Sequence, residues 1–151
     1  MTSSLLPILP AVYNVLFNFA QSDGFWANWQ TAFGTSYDVS TATELRQQWG
    51  SRNFSQLPLI EVVSGGVLGT ANGAYAASTN KIYLSESFLN TASPAAIVDV
   101  ILEEIGHYVD AQINQGYHGD VLGFWTENSH ILVPGAESKQ DLKIPLAFGG
   151  E

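Results

Sequence analysis

The 151-residue sequence contains no cysteine. That absence excludes a disulfide scaffold, thiol catalysis and any zinc or iron–sulfur site held by thiolates. Basic residues are scarce as well: 5 Lys and Arg stand against 14 Asp and Glu, for a formal charge of -9. So few cations cannot neutralise a run of phosphates, so nucleic acid is not an expected partner. No stretch reaches the roughly 18 consecutive apolar residues of a transmembrane span. The apolar opening MTSSLLPILPAVYNVLFNFA lacks a basic start and an early Ala-x-Ala site, and Pro7 and Pro10 interrupt it. It reads as a helix from near Pro10 that docks through Val12, Leu16 and Phe19, rather than as a signal peptide. Twelve-residue Asp/Asn-rich calcium loops are also missing.

What is present suffices for a core. The chain is 46% hydrophobic with 4 Trp, 6 Tyr and 8 Phe, which excludes disorder as the main state. The length suits a single domain over residues 1–151, without internal repeats or a linker. Val12, Leu16, Phe19 and Ala20 recur at helical spacing, and Asp23-Gly24 breaks the pattern. Phe25, Trp26, Trp29 and Phe33 resume it until Gly34. Ser40-Thr41-Ala42-Thr43-Glu44 offers an N-cap and capping-box carboxylate for a third helix ending near Gly50.

The middle of the chain changes character. LPLIEVVSG (57–65) is β-branched and reads as a strand. Gly73–Ala77 and Lys81–Leu84 read as two strands around the turn Ser78-Thr79-Asn80. Ser93-Pro94 is a strong helix start, and the helix from Pro94 to about Gln112 is the longest and best patterned element. Beyond Asn114 the pattern weakens, with a helix or strand at 121–127, a loop at VPGAESKQD, and IPLAFGGE as a last strand or a boundary.

The chemistry concentrates on that long helix. At about 100° per residue, Ile97, Val98, Ile101, Leu102, Ile105, Tyr108 and Val109 share one broad arc. Asp99, Glu103, His107 and Asp110 fall opposite, with Glu104 at the border. Glu103 and His107 are i,i+4, the spacing with which a helix offers two ligands to one metal ion. Two readings of the stripe stand side by side. It is a solvated acidic face, or it holds a cation that relieves the repulsion between acidic groups stacked a turn apart. Gly106 in mid-helix costs about 1 kcal/mol against Ala, which a close approach by another backbone explains.

Glu103-Glu104-Ile105-Gly106-His107 resembles the His-Glu-x-x-His active-site helix of zincin metallopeptidases, with Glu103 where the first His stands. The strand pair just upstream resembles the zincin edge strand that lines the substrate cleft. The longer run NGAYAASTNKIYLSESFL, followed by LEEIGHYVDAQIN, is similar to the metallopeptidase-like domain at the N-terminus of large bacterial exoproteins with calcium-binding repeats. The likeness covers about residues 57–125.

The resemblance implies an α+β, zincin-like fold: a small twisted sheet, an edge strand over a long active-site helix, and N-terminal helices packed on the sheet. It further implies a divalent metal, zinc first, held by Glu103 and His107, with Glu104 as the general base that polarises the attacking water. A carboxylate in place of the first His adds negative charge, weakens Lewis acidity and shifts preference toward harder cations. Asp120, thirteen residues beyond His107, leads as the third ligand, followed by His118 and Glu127, with His130 also available. Tyr108 and Tyr117 are oxyanion-donor candidates, although Tyr108 lies on the apolar arc and reads first as core.

The implied function is metal-dependent peptide hydrolysis on a peptide or protein substrate, in its own or a neighbouring chain, in a secreted or cell-surface setting. The alternative is a non-catalytic module of the same fold, with a structural metal or none, used for protein binding or secretion. Glu104-x-x-His107 is also half of a di-iron carboxylate signature, which takes a second Glu-x-x-His helix; none is expected here, so this ranks below the zincin reading. Trp26, Trp29 and Trp49 could stack on sugars but read as core. Ser64–Gly69 reads as a turn without a phosphate-loop Lys, and Ser85 and Ser87 lack triad partners.

Overall fold

A computed structural model of the chain describes residues 5–64 and 66–114. In order these form α1 (Leu9–Gln21), α2 (Phe25–Phe33), α3 (Val39–Gly50), β1 (Leu59–Val63), β2 (Gly73–Ala76), β3 (Lys81–Ser85), α4 (Glu86–Thr91) and α5 (Pro94–Ile113). Helices and a small sheet occupy separate stretches of chain, so the fold class is α+β. None of the helices among the described residues is long and apolar enough to cross a membrane.

The first three helices build an aromatic core. Phe19, Phe25, Trp29 and Trp49 are fully buried, and their rings meet in stacked and tilted pairs. Trp26 stacks on Tyr37, so the three candidate sugar-stacking tryptophans serve as packing. Gly34 ends α2 at φ +84°, a conformation that favours glycine. Arg46 closes the C-terminal end of α1: its Nε donates to Ala20 O at 2.9 Å while its guanidinium lies 4.5 Å from the Phe25 ring centre. At the start of α3 the expectation needs correcting. The N-cap is Asp38, upstream of the Ser40–Glu44 stretch, and its carboxylate accepts from the Ser40 and Thr41 N–H groups. A carboxylate two residues upstream reaches those exposed donors, so the helix begins at Val39.

The sheet has the order β1-β3-β2, with β1 parallel and β2 antiparallel to β3. Register puts Ile60, Ile82 and Tyr75 in one row, and Val62, Leu84 and Gly73 in the next. These rows face the helices, since Gly73 and Tyr75 both meet α5. The small-polar turn joins β2 and β3 as the sequence predicts, and Asn80 takes its positive φ of 53°. The Gly66 and Gly69 turn also holds, closed by a bridge between the two.

Ser85 ends β3 and caps α4, accepting from the Phe88 N–H and bonding the Ser87 hydroxyl at 3.0 Å. That six-residue helix was not anticipated, being too short to show a period. Ser93 caps α5 as expected, accepting from the Ala96 N–H at 3.2 Å, with Pro94 in the first turn. A second correction concerns layering. The N-terminal helices do not rest chiefly on the sheet: α1 and α3 pack on α5, which carries β2 and β3 on another side. An α5 rich in Ile and Val has apolar surface for both neighbours, so it becomes the central element.

Candidate metal centre on the longest helix

Three sides of α5 can be told apart. Ile101, Leu102, Ile105 and Val109 are buried on the apolar side, as the arc predicts. The second side meets β2. A Cβ added to Gly73 would come within 2.9 Å of Val100 Cγ1, so strand and helix approach at contact distance there. Two turns further on, the Tyr108 ring meets the Tyr75 ring edge to face at 5.9 Å. Glu104 is i+4 from Val100 and i−4 from Tyr108, so helix geometry sets it on the line that runs under β2. His107 lies about 60° around the helix from Glu104, toward the third side, which carries Asp99, Glu103 and Asp110.

Burial separates the stripe into two halves. Asp99 and Glu103 are half-buried, whereas Glu104, His107 and Asp110 are 7%, 8% and 9% exposed. The reading of the whole stripe as a solvated face is therefore corrected for its C-terminal half, where Gly106 and Ala111 are buried as well. A buried carboxylate or imidazole costs several kcal/mol unless its polar atoms are satisfied. Asp110 accepts from Asn114 Nδ2. The end of α5 is fixed too, because Ile113 O accepts from the Asp38 N–H at 2.9 Å.

The tyrosines at this end are anchors. Tyr108 donates its hydroxyl to Gln56 O at 3.1 Å, and Tyr75 donates to Asn80 Oδ1 at 2.8 Å. Burial pushes both phenols above their ordinary range, with the neighbouring Tyr108 adding to the shift at Tyr75. Both stay protonated at neutral pH. Tyr108 thus packs and tethers, and its hydroxyl is occupied away from any oxyanion role.

Of the expected site residues, Glu103, Glu104 and His107 stand together on α5. Asp120, His118, Glu127, His130 and Tyr117 lie outside the described residues, as do the elements expected at 121–127 and beyond. Among the described residues, His, Cys, Asp and Glu form no group of three or more able to hold a metal ion. The sequence also carries a second Glu-x-x-His pair, Glu127 and His130, which the reading of the sequence passed over and which lies outside the described residues. The burial of Asp110 was missed as well; small residues at Gly106 and Ala111 on the polar side were the available signal. Comparison with protein-family models, with curated proteins and with solved structures gave no match.

Proposed function

We propose that the chain is a zincin-like, metallopeptidase-like domain that hydrolyses a peptide bond in its own or a neighbouring chain. The observation that carries this reading is the burial of Glu104 and His107 on the helix that packs against β2. A carboxylate on the line that runs under β2 and an imidazole within one turn of it are the groups that a hydrolytic site uses. β2 is an edge strand among the described residues, which supports the likeness to the zincin cleft.

The donor set on α5 fits a divalent cation as far as it extends. Glu103 and His107, a turn apart, offer a carboxylate oxygen and an imidazole nitrogen, and zinc accepts both. The third donor would come from downstream, Asp120 first, then His118 or Glu127. A cation held there would supply Lewis acidity at the substrate carbonyl. Glu104 takes a proton from the attacking water as the water oxygen bonds to the carbonyl carbon. It then returns that proton to the amine as the C–N bond breaks. The alternative, a non-catalytic module with a structural metal or none, used for protein binding or secretion, lacks this step.

The test is elemental analysis of purified protein with and without chelator, together with peptide cleavage by the wild type and Glu104→Gln. Near-stoichiometric zinc, cleavage by the wild type, and a rate at least ~100-fold lower in Glu104→Gln are expected. Undiminished metal in His107→Ala would overturn the ligand assignment. Equal metal in both proteins with cleavage in neither would establish the non-catalytic module, and iron in place of zinc would favour the di-iron class.

A further inference from the structure

A cavity of about 220 Å³ opens on the other side of the molecule, between α1, the 54–58 segment, β1 and α5. Its floor is Val12, Ile82, Ile101 and Ile105. Ile101 and Ile105 belong to the apolar side of α5, facing away from Glu103 and His107. β2 and β3 pack on α5 more closely than β1 does, and the cavity lies beside the Ile60–Ile82 row. Tyr13 and Phe54 form one wall, stacked at 4.5 Å with their planes 5° apart. Leu59, 72% exposed, is the most solvent-facing of the lining residues with a large apolar side chain.

We infer that this cavity is a binding site for a small uncharged apolar molecule. The size class follows from volume: an apolar cavity of about 150 Å³ accommodates benzene, so this one holds roughly nine carbon atoms. Charge sets the rest. No lining residue is Lys, Arg, His, Asp or Glu, and the chain carries a formal charge of -9. A carboxylate-bearing ligand would find no counter-ion and a repulsive field. Among the lining residues only Tyr13 and Ser55 carry a polar side-chain group, and the Ser55 hydroxyl already bonds Asn53 at 2.7 Å. An aromatic or short alkyl body therefore binds by burial, against rigid aromatic and isoleucine surfaces. The inference stands independently of the proposed hydrolytic site.

The probe is n-propylbenzene, with 3-phenylpropionate as its charged counterpart, titrated into the full chain carrying ¹³C-labelled isoleucine methyls. Saturable shifts are expected at Ile60, Ile82, Ile101 and Ile105 but not at Ile113, with 3-phenylpropionate binding at least tenfold more weakly. Ile101→Phe, which fills the floor, should abolish the shifts. Should that variant fail to fold, Leu9→Trp at the half-buried rim serves the same purpose. Absence of saturable shifts up to the solubility of n-propylbenzene would overturn the site. Equal binding of the carboxylate would overturn the assignment of an uncharged ligand, and undiminished binding in the folded variant would overturn the location.

Discussion

The apolar side of α5 and the C-terminal half of its polar side are both buried, yet they are built on opposite principles. On one, Ile101, Leu102 and Val109 are at most 1% exposed against the N-terminal helices. Each such side chain contributes about 1.5–3 kcal/mol by leaving water. On the other, Glu104, His107 and Asp110 take up nearly buried positions where Leu or Ala would cost nothing in desolvation. Polar groups buried in this way must find partners where they sit, as Asp110 does in Asn114 Nδ2, whereas the apolar side asks only for complementary shape.

That contrast can be broken by two substitutions one turn of helix or less apart. Leu102→Ala should lower unfolding free energy by about 2–5 kcal/mol in a denaturant titration, through lost burial and the cavity left behind. Glu104→Gln, nearly the same size and still carrying one acceptor oxygen, should cost less stability than Leu102→Ala while removing cleavage. If both variants proved equally unstable, Glu104 would be a structural residue and the comparison would fail. The next largest effect is expected at Gly73. A methyl there meets Val100 Cγ1 at 2.9 Å, Leu84 Cδ2 at 3.1 Å and Tyr83 O at 3.2 Å. Overpacking of this kind costs about 1–3 kcal/mol. Adding Val100→Ala should recover most of the loss, a coupling read from the double-mutant cycle.

Much of this architecture was legible because its signals are local. Ser93-Pro94 marks a helix start by chemistry confined to a few residues, and the Ser78-Thr79-Asn80 turn brackets β2 and β3 in the same way. The apolar arc of α5 needed only its own periodicity. The rest depends on tertiary neighbours. The parallel pairing of β1 with β3 joins segments about twenty residues apart, with β2 lying between them in sequence. The position of α5 at the centre, rather than under a sheet shared with α1, follows from how two apolar surfaces partition between neighbours. The same holds for the site. Spacing identified Glu103, Glu104 and His107 as a set, but a helical wheel alone cannot tell a solvated stripe from one that is covered; the small residues Gly106 and Ala111 were the only local hint of cover over His107 and Asp110.

Ionisation sharpens the comparison from the β2 side. Tyr75 and Tyr108 have pKa values raised by burial, whereas in the unfolded chain a tyrosine titrates near about 10. The native state therefore retains protons that the unfolded state releases. Stability is fully present below pH about 10 and falls as pH rises past it. Tyr75→Phe should flatten that alkaline decline in thermal melts recorded across pH 8 to 11, by removing one of the two phenols.

The smallest effect is expected at Asp38, where two functions of one residue can be separated. Its carboxylate caps α3, and its backbone N–H holds the last carbonyl of α5. Asp38→Ala removes the first and keeps the second, so unfolding free energy should drop by about 1 kcal/mol. Asp38→Ser should restore most of it, since a hydroxyl accepts from the same N–H groups. Because the bond to Ile113 survives in both variants, the polar side of α5 should keep its place, and metal content should equal that of the wild type. A loss of metal in Asp38→Ala that Asp38→Ser also shows would mean that the carboxylate itself, rather than the cap, supports the end of α5.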